Sequence, residues 1–553
     1  MVGVRDPELA DSEADAQQSP RPPMSADPPR FLIVGAGARG RCYASAIDGV
    51  SNGIVAAVAE PVAFKRHALG RRHIWGEAAQ PREGQAFAHW RDFLAYELER
   101  RRRAAAAGKN KGDVEGKAGE AVDDPPPPPP GVDGVFVCVL DDMHRDVVVG
   151  LAPLGLHVMC EKPLATTLAD CLAMRRALAP LRPTAVFSVG HVLRYSPHNL
   201  MLRRLLVDQA LIGHVNSAVH TEPVGWWHFA HSFVRGSWRN HRTSAPSLLT
   251  KSCHDIDLLL WLLCSPPGPS AAGARQGEDK EQQPHLPDFV SSSGAVQFFK
   301  KSRKPPDAGA ATNCMRCPLG DVGCKYSAKH IYLGPRSGLA RGNTEWPVDV
   351  VVPDIEDYPT PDDRSAALER ALEEDWDDDT PPDVVRRRNW FGRCVFEADN
   401  NVCDDQFVTI SWPESNRPAT RVTFHMAAQT KRQCERFSRF YGEHGEIYAD
   451  SKRIVVEDFA SGETKTFEPG LEDLGHGGGD LGLTRQFVLA CDRVKNHGQP
   501  APDAQDEFIG CTLDDVIRSH ALVFAAEEAR LGNKVVDWKQ FWDQRVVADS
   551  AAA

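Results

Sequence analysis

Short, wholly apolar runs alternate with amphipathic stretches over the first part of this chain. Phe31–Val34 (FLIV), Ile54–Ala59 (IVAAVA), Gly134–Leu140 (GVFVCVL) and His157–Cys160 (HVMC) are too short for helices. Their consecutive apolar positions predict strands buried on both faces. Helical stretches lie between them, over Arg41–Ile47, His89–Arg103 and Met143–Leu154. Strand–helix alternation of this kind predicts a parallel, doubly wound α/β sheet. Beyond it, Pro197–Gln209 reads as an amphipathic helix, Val215–Thr221 as a strand, and Ser247–Leu263 as a helix buried at its far end. Strand signals return at Gly294–Phe299, Asn389–Val395, Gln406–Trp412, Thr420–Met426 and Gly445–Ala449, followed by helices at Leu481–Cys491 and Thr512–Arg530.

Several segments break this rhythm. Residues 1–30 are rich in Pro, Ser, Asp and Ala and read as a disordered leader. Ala104–Gly131 carries six consecutive prolines, Pro125–Pro130, and reads as a surface insertion with an extended polyproline segment. A second insertion spans about 268–287, and a third, acidic and proline-rich, spans about 350–383 and reads as a solvated surface. Ala548–Ala553 reads as a frayed tail. With 553 residues, two domains plus insertions are expected: a first over 31–165 and a second over 166–545.

Composition narrows the class. The apolar fraction of 42% and charged fraction of 25% are those of a globular protein. A net charge of −12, with no basic stripe, argues against nucleic-acid binding. No apolar run approaches the roughly 18 residues of a membrane span, and the N-terminus lacks a signal-peptide pattern. A cytoplasmic location is therefore expected, with the fourteen cysteines as reduced thiols.

The strand Phe31–Val34 runs into Gly35-Ala36-Gly37-Ala38-Arg39-Gly40. In G-x-G-x-x-G, the first glycine makes the tight turn and the second lets the backbone approach a pyrophosphate. The third lets the following helix pack on its strand. The helix opening there aims free N–H groups and its positive end at the phosphates. Ile54–Ala59 ends at Glu60, twenty positions after Gly40, where a carboxylate accepts hydrogen bonds from the adenosine ribose. Glu60 favours NAD over NADP by repelling an extra phosphate, while Lys65 and Arg66 close by keep NADP open.

His157–Cys160 leads directly into Glu161-Lys162-Pro163, at the carboxyl end of a strand, where doubly wound sheets bind ligands. At this point the sequence resembles the Gfo/Idh/MocA oxidoreductases. The resemblance rests on GAGARG (Gly35–Gly40), VCVLDDMH (Val137–His144), CEKPLA (Cys160–Ala165), VGHVLRYSP (Val189–Pro197), LIGHV (Leu211–Val215) and SCHDIDLLLWLL (Ser252–Leu263). It implies an N-terminal Rossmann domain and a C-terminal α/β domain with a large, open, mostly antiparallel sheet that often oligomerises. It also implies a cofactor-binding set of Gly35, Gly37, Ala38, Arg39, Gly40, Glu60, Asp141, His144, Glu161 and Lys162.

By the same resemblance, His254 is the acid/base, a role that suits an imidazole, and Lys162 orients or polarises the substrate oxygen. Many members carry an aspartate four residues before this histidine. Here Thr250 stands there, with Lys251 beside it. Either Lys251 joins the chemistry, with its pKa lowered by burial, or the chemistry departs from simple polyol oxidation. Substrate candidates are Arg194, Asp257 one turn beyond His254, and His476 of GHGGGD (Gly475–Asp480). The aromatic, histidine-rich stretch Val224–Asn240 adds Trp227, His228 and Arg239. Asp480 also reads as a helix N-cap. Cys314-x-x-Cys317-x₆-Cys324 has the spacing of a structural zinc knuckle, with His330, Cys253 or Cys394 as the open choices for a fourth ligand.

The expected function is NAD(P)-dependent hydride transfer to or from a secondary hydroxyl or carbonyl of a sugar, polyol or related small molecule. The alternatives are an NAD-dependent glycosidase of the same family and a non-catalytic dinucleotide-sensing regulator. The open sheet makes a homo-oligomer, dimer or tetramer, an expectation as well.

Overall fold

The computed structural model describes residues 21–112, 128–265, 284–415, 417–469 and 475–551. The leader up to residue 20, residues 113–127 of the proline-rich insertion and residues 266–283 of the second insertion lie outside that set.

Six strands form a parallel sheet: β1 (Arg30–Val34), β2 (Ile54–Ala59), β3 (Ala86–Phe87), β4 (Gly134–Val137), β5 (His157–Cys160) and β6 (Phe187–Val189). Their order, β3-β2-β1-β4-β5-β6, is that of a Rossmann fold, with its switch point at the carboxyl ends of β1 and β4. Helices α1 (Ala38–Val50), α2 (His144–Leu151) and α3 (Leu168–Leu178) supply crossovers. The sheet continues past residue 165, where the first domain was expected to end, because α3 carries the chain over to β6. Only three residues long, β6 gives little periodic signal.

The second sheet has nine strands: β7 (Val215–Pro223), β8 (Phe289–Ala295), β9 (Asp405–Trp412), β10 (Thr420–Ala427), β11 (Phe437–Gly442), β12 (Gly445–Asp450), β13 (Ile454–Asp458), β14 (Thr464–Phe467) and β15 (Val535–Asp537). It is mixed and mostly antiparallel, with β7 and β10 as its parallel pair. One face carries α4 (Cys253–Leu263) and α6 (Leu513–Gly532). Helix α5 (Gly479–His497) returns to the first domain, where Phe487 sets its ring edge-on to Phe136 and against Phe31.

Three elements differ from the sequence reading. Strand β8 ends at Ala295 rather than running over Gly294–Phe299, because the Asp404 carboxylate takes the N–H groups of Gln297, Phe298 and Phe299 at 2.8, 2.8 and 3.0 Å. Asn389–Val395 makes only a single bridge, Arg393 to Asn313, and turns Trp390 and Phe391 inward. The 247–263 helix is interrupted at Lys251–Ser252, so Ser247–Thr250 and α4 are separate.

The acidic 350–383 segment is not simply solvated. Its helix Pro361–Glu373 buries Leu368 and Leu372, one turn apart, against Ile331, Tyr332, Val348, Ile355 and Phe391 in a second small core. Within the acidic run, half-buried Asp375 pairs with buried Arg393 at 2.7 Å. Residues 548–551, expected to fray, are helical. Among the described residues no helix is long and apolar enough to cross a membrane.

Burial holds three structural histidines neutral: it lowers His157 to about 4, and His231 and His520 to about 3. The unfolded chain takes up protons at these sites near pH 6.5, before the folded one does. Their stabilisation is therefore complete above that pH and is lost as pH falls below it. Each costs about 1.4 kcal/mol per pH unit in that window. We expect the midpoint of thermal unfolding to fall between pH 6.5 and 5.5, ahead of carboxylate titration. A midpoint unchanged over that interval would contradict it.

Candidate active site

The glycine loop has the geometry its sequence requires. Gly35 sits at φ +94°, and a Cβ there would meet the Cys138 carbonyl oxygen at 2.6 Å. At Gly40 a Cβ would lie 2.0 Å from the Gly35 carbonyl oxygen, so only glycine lets α1 pack this closely. At Gly37 an added Cβ meets nothing within 4 Å. That open space fronts the N-terminus of α1, which has no side-chain cap. Its free N–H groups, and the room before them, fit a pyrophosphate. Glu60 ends β2 as expected and is held by the N–H groups of Ala36 (2.8 Å) and Val62 (2.9 Å). Arg66 donates to the Glu60 carbonyl.

Arg39 follows this loop but does not extend free into the cofactor space. Its guanidinium donates to Glu161 Oε1 through Nε, and to the Tyr43 hydroxyl and Asp480 Oδ1 through Nη2, each at 2.7 Å. The Tyr43 hydroxyl in turn donates to Glu161 at 2.6 Å. Burial alone would raise the Glu161 carboxyl, but Arg39 and the Tyr43 hydrogen bond hold it below the ordinary range. One cation thus ties the glycine loop to Glu161-Lys162 and to the start of α5.

That start explains Gly475–Asp480. Gly477 and Gly478 take φ +61° and +83°, and a Cβ on Gly479 would lie 2.2 Å from the Val192 carbonyl oxygen. Gly478, not Asp480, occupies the cap position. The Asp480 carboxylate instead receives Arg39 and His476 Nδ1 (2.9 Å), which hold it ionised against burial.

Lys162 leaves the end of β5, and its Nζ donates to the Thr250 carbonyl oxygen at 2.8 Å. The group that faces the ammonium is thus a backbone oxygen rather than a carboxylate. Trp238 lies 6.0 Å from the ammonium and donates its indole N–H to Asp141 at 2.8 Å. His254, one turn after Thr250, is buried, and its Nδ1 lacks a hydrogen-bond partner. Burial first, then Lys162, pushes its pKa well below 6.5. The rings of His191 and His476 each stand 6.0 Å from it, and His191 has neither nitrogen hydrogen-bonded.

Beneath this group lies a buried polar floor. Lys251 reaches Glu222 at 3.2 Å and donates to Cys434 Sγ at 2.9 Å. Burial would lower the Lys251 pKa, as the sequence reading expected, but Cys434 and Glu222 raise it instead. Arg436 bonds Asp255 at 2.6 Å and Glu222 at 3.1 Å, and His220 Nε2 donates to Asp255 at 2.9 Å. Burial opposes ionisation of Asp255, yet Arg436 and His220 hold it well below the ordinary carboxylate range. Glu222, Asp255, Cys434 and Arg436 went unnoticed in the sequence. The available signal was an acid in the wholly buried end of β7, Thr221–Pro223.

Other candidates are placed less directly. Arg194 and Asp257 form a bidentate buried pair at 2.7 and 2.8 Å. Arg239 spends its donors on Asp399 and on the carbonyls of Gly236, Val385 and Arg388. His144 braces the loop, its ring nitrogens against the Pro163 and Val139 carbonyls. Trp227 and His228 do form a wall, packed on Trp346 at 4.8 and 5.1 Å. Among the described residues, no three His, Cys, Asp or Glu side chains stand close enough to hold a metal. Cys314, Cys317 and Cys324 ring a small cavity instead.

The family model described as "Oxidoreductase family, NAD-binding Rossmann fold" matches residues 78–191, from the approach to β3, past the loop bearing Lys162, to His191 just after β6. Over those residues the chain is similar to the Gfo/Idh/MocA oxidoreductases. Among curated relatives, a 2,7-anhydro-N-acetylneuraminate hydratase of Escherichia coli K12 is 30% identical over 132 residues, 24% of this chain and 34% of that protein. An inositol 2-dehydrogenase of Saccharopolyspora erythraea is 32% identical over 134 residues, 24% of this chain and 35% of that protein. The chain thus spans about a third of the length of these relatives. The fold extends further. A levoglucosan dehydrogenase solved with NADH and levoglucosan aligns at TM-score 0.52 and 13% identity, over 92% of this chain and 99% of that one. An inositol dehydrogenase homologue from Azotobacter vinelandii, solved with NAD+, aligns at TM-score 0.54 and 13% identity over 93% and 98%.

The two glycines separate folding from binding. Gly40→Ala is expected to destabilise the protein by about 1–3 kcal/mol, because its Cβ collides with backbone. Gly37→Ala should leave the melting temperature unchanged yet weaken NAD binding at least about tenfold, because the methyl occupies ligand space. Equal melting temperatures for both variants would contradict the loop geometry.

Proposed function

We propose that this protein transfers hydride between a nicotinamide dinucleotide, NAD in preference to NADP, and a secondary hydroxyl or carbonyl of a sugar, polyol or related small molecule. The observation that carries the reading is the convergence of Lys162 and a neutral, buried His254 at the carboxyl end of the parallel sheet. The residues that would hold the cofactor are the Gly35–Gly40 loop and Glu60. Bound there, the nicotinamide supplies the hydride acceptor or donor.

Lys162 presents an ammonium to the substrate oxygen and stabilises negative charge developing on it. Its own position is set by the Thr250 carbonyl. His254 accepts the hydroxyl proton during oxidation and returns it during reduction. Held below its ordinary pKa, the ring is already unprotonated at neutral pH. His476 gives the proton a path outward. Its ring is 6.0 Å from His254, it is hydrogen-bonded to ionised Asp480, and its side chain is 37% exposed. Trp227, Trp238 and Trp346 offer faces suited to the C–H side of a sugar ring. A second copy packed on the open sheet, whose outer face exposes Val219 and Phe407, completes the proposed assembly.

Lys162→Ala is expected to reduce kcat/KM about 1,000-fold while leaving NAD affinity within a few-fold. Because the base works unprotonated and its pKa lies below the ordinary value, initial oxidation rates should hold steady as pH falls from 8 through 6.5, and decline only further down. An inflection at 6.5 would show an unperturbed histidine instead. Glycoside cleavage with permanently retained NAD and no net reduction would replace this reading with the eliminating glycosidase.

A further inference from the structure

We propose that Asp349, paired with Arg41, is a latch that joins the two walls of the candidate site and sets how fast a dinucleotide enters and leaves. The inference rests on the reading that a dinucleotide binds at the Gly35–Gly40 loop.

The latch sits on a short segment that is anchored on the substrate side. Trp346 packs on the rings of Trp227, His228 and His231, whose centroids are 4.8, 5.1 and 5.4 Å away. The helix Val348–Val351 follows, and Val348 is fully buried in the small core that also holds Tyr332, Ile355, Leu368 and Leu372. Tyr332 is in turn hydrogen-bonded to His231 at 2.8 Å. Asn343 fastens the turn from within. Its amide donates to the carbonyls of Ser337 (2.7 Å) and Trp346 (3.1 Å), and its side-chain oxygen accepts from the Glu345 N–H (3.0 Å).

From that anchored segment, Asp349 reaches the first domain. Its Oδ2 accepts a charge-assisted hydrogen bond from Arg41 Nη2. Arg41 stands in the first turn of α1, directly after Gly40, and its N–H donates to the Gly37 carbonyl at 3.0 Å. Between Trp346 and Asp349 the chain therefore touches both the aromatic wall and the helix whose N-terminus fits a pyrophosphate. Parting those two walls requires Arg41 to release Asp349.

The pair is made to open as well as to close. The Asp349 side chain is 9% exposed and that of Arg41 is 44% exposed. Among the described residues, Asp349 Oδ1 is buried without a hydrogen-bond partner. Closed, the carboxylate gains Arg41 but keeps one oxygen away from water; open, that oxygen is hydrated again. The two effects oppose each other, which leaves the small net preference typical of a half-exposed pair. Such a balance slows ligand exchange without abolishing it.

The test is stopped-flow exchange on the full chain. Protein loaded with NADH is mixed with excess NAD, and the loss of nicotinamide fluorescence gives the dissociation rate; mixing free protein with NADH gives the association rate. Asp349→Asn keeps the shape and removes the charge, and should speed dissociation about three- to tenfold. Association should speed by a similar factor, leaving Kd within about twofold, because a latch obstructs both directions whereas a residue that only touched the ligand would alter dissociation alone. Adding Arg41→Gln to Asp349→Asn should bring no further gain, since the two act as one pair. Should Asp349→Asn fail to fold, Arg41→Gln, made on the exposed partner, carries the same expectation. Unchanged dissociation, or faster dissociation with unchanged association, would overturn the latch and leave the dinucleotide reading standing. Absence of NADH binding to the unaltered chain would overturn both.

Discussion

The shared ion pair at Arg39 is the constraint on which the rest of the site depends. A single guanidinium, planar and permanently charged, satisfies Glu161, Tyr43 and Asp480 at once. With Arg39 itself they join three pieces of the fold: the glycine loop and the helix α1 that follows it, the strand end that projects Lys162, and the glycine-rich entry to α5 that projects His476. Buried charges are stabilising only when every partner is in place, so the three pieces are positioned together or not at all. A carboxylate beside the lysine is thereby kept occupied, which leaves the Lys162 ammonium directed at Thr250 and the pocket.

The same economy of charge governs the pocket. Lys251, Glu222, Arg436 and Asp255 neutralise one another in the floor, and Arg194 with Asp257 do so to one side. What remains around the reacting position is Lys162, bonded to a backbone carbonyl rather than a carboxylate, and the imidazoles of His191 and His254, whose pKa values burial lowers. That composition suits moving a proton off an uncharged hydroxyl. Thr250 fits it: a carboxylate beside His254 would raise its pKa and hold a proton on it, whereas a carbonyl facing Lys162 does not.

How much of this the sequence discloses follows from the range of the interactions. The glycine loop is legible because each of its demands, a positive φ or a close backbone approach, is met by one residue type at one spacing. Lys162 and His254 are legible as residues at the ends of recognisable elements. The Arg39 network is not, since its partners lie 122 and 441 residues away. The polar floor is hidden for the same reason: it forms only when β7, β11 and α4 are stacked. The acidic insertion misleads because Leu368 and Leu372 are two residues within a charged run, and their burial depends on apolar partners scattered from Ile331 to Phe391.

The most direct measurement is titration of the purified full-length chain with NADH, followed by energy transfer from tryptophan to the nicotinamide. Trp238 stands beside Lys162, where the ring would lie. Saturable, exchangeable binding in the micromolar range, with transfer reduced by Trp238→Phe, is the predicted result. Absence of binding by NAD(H) and NADP(H) alike would contradict it.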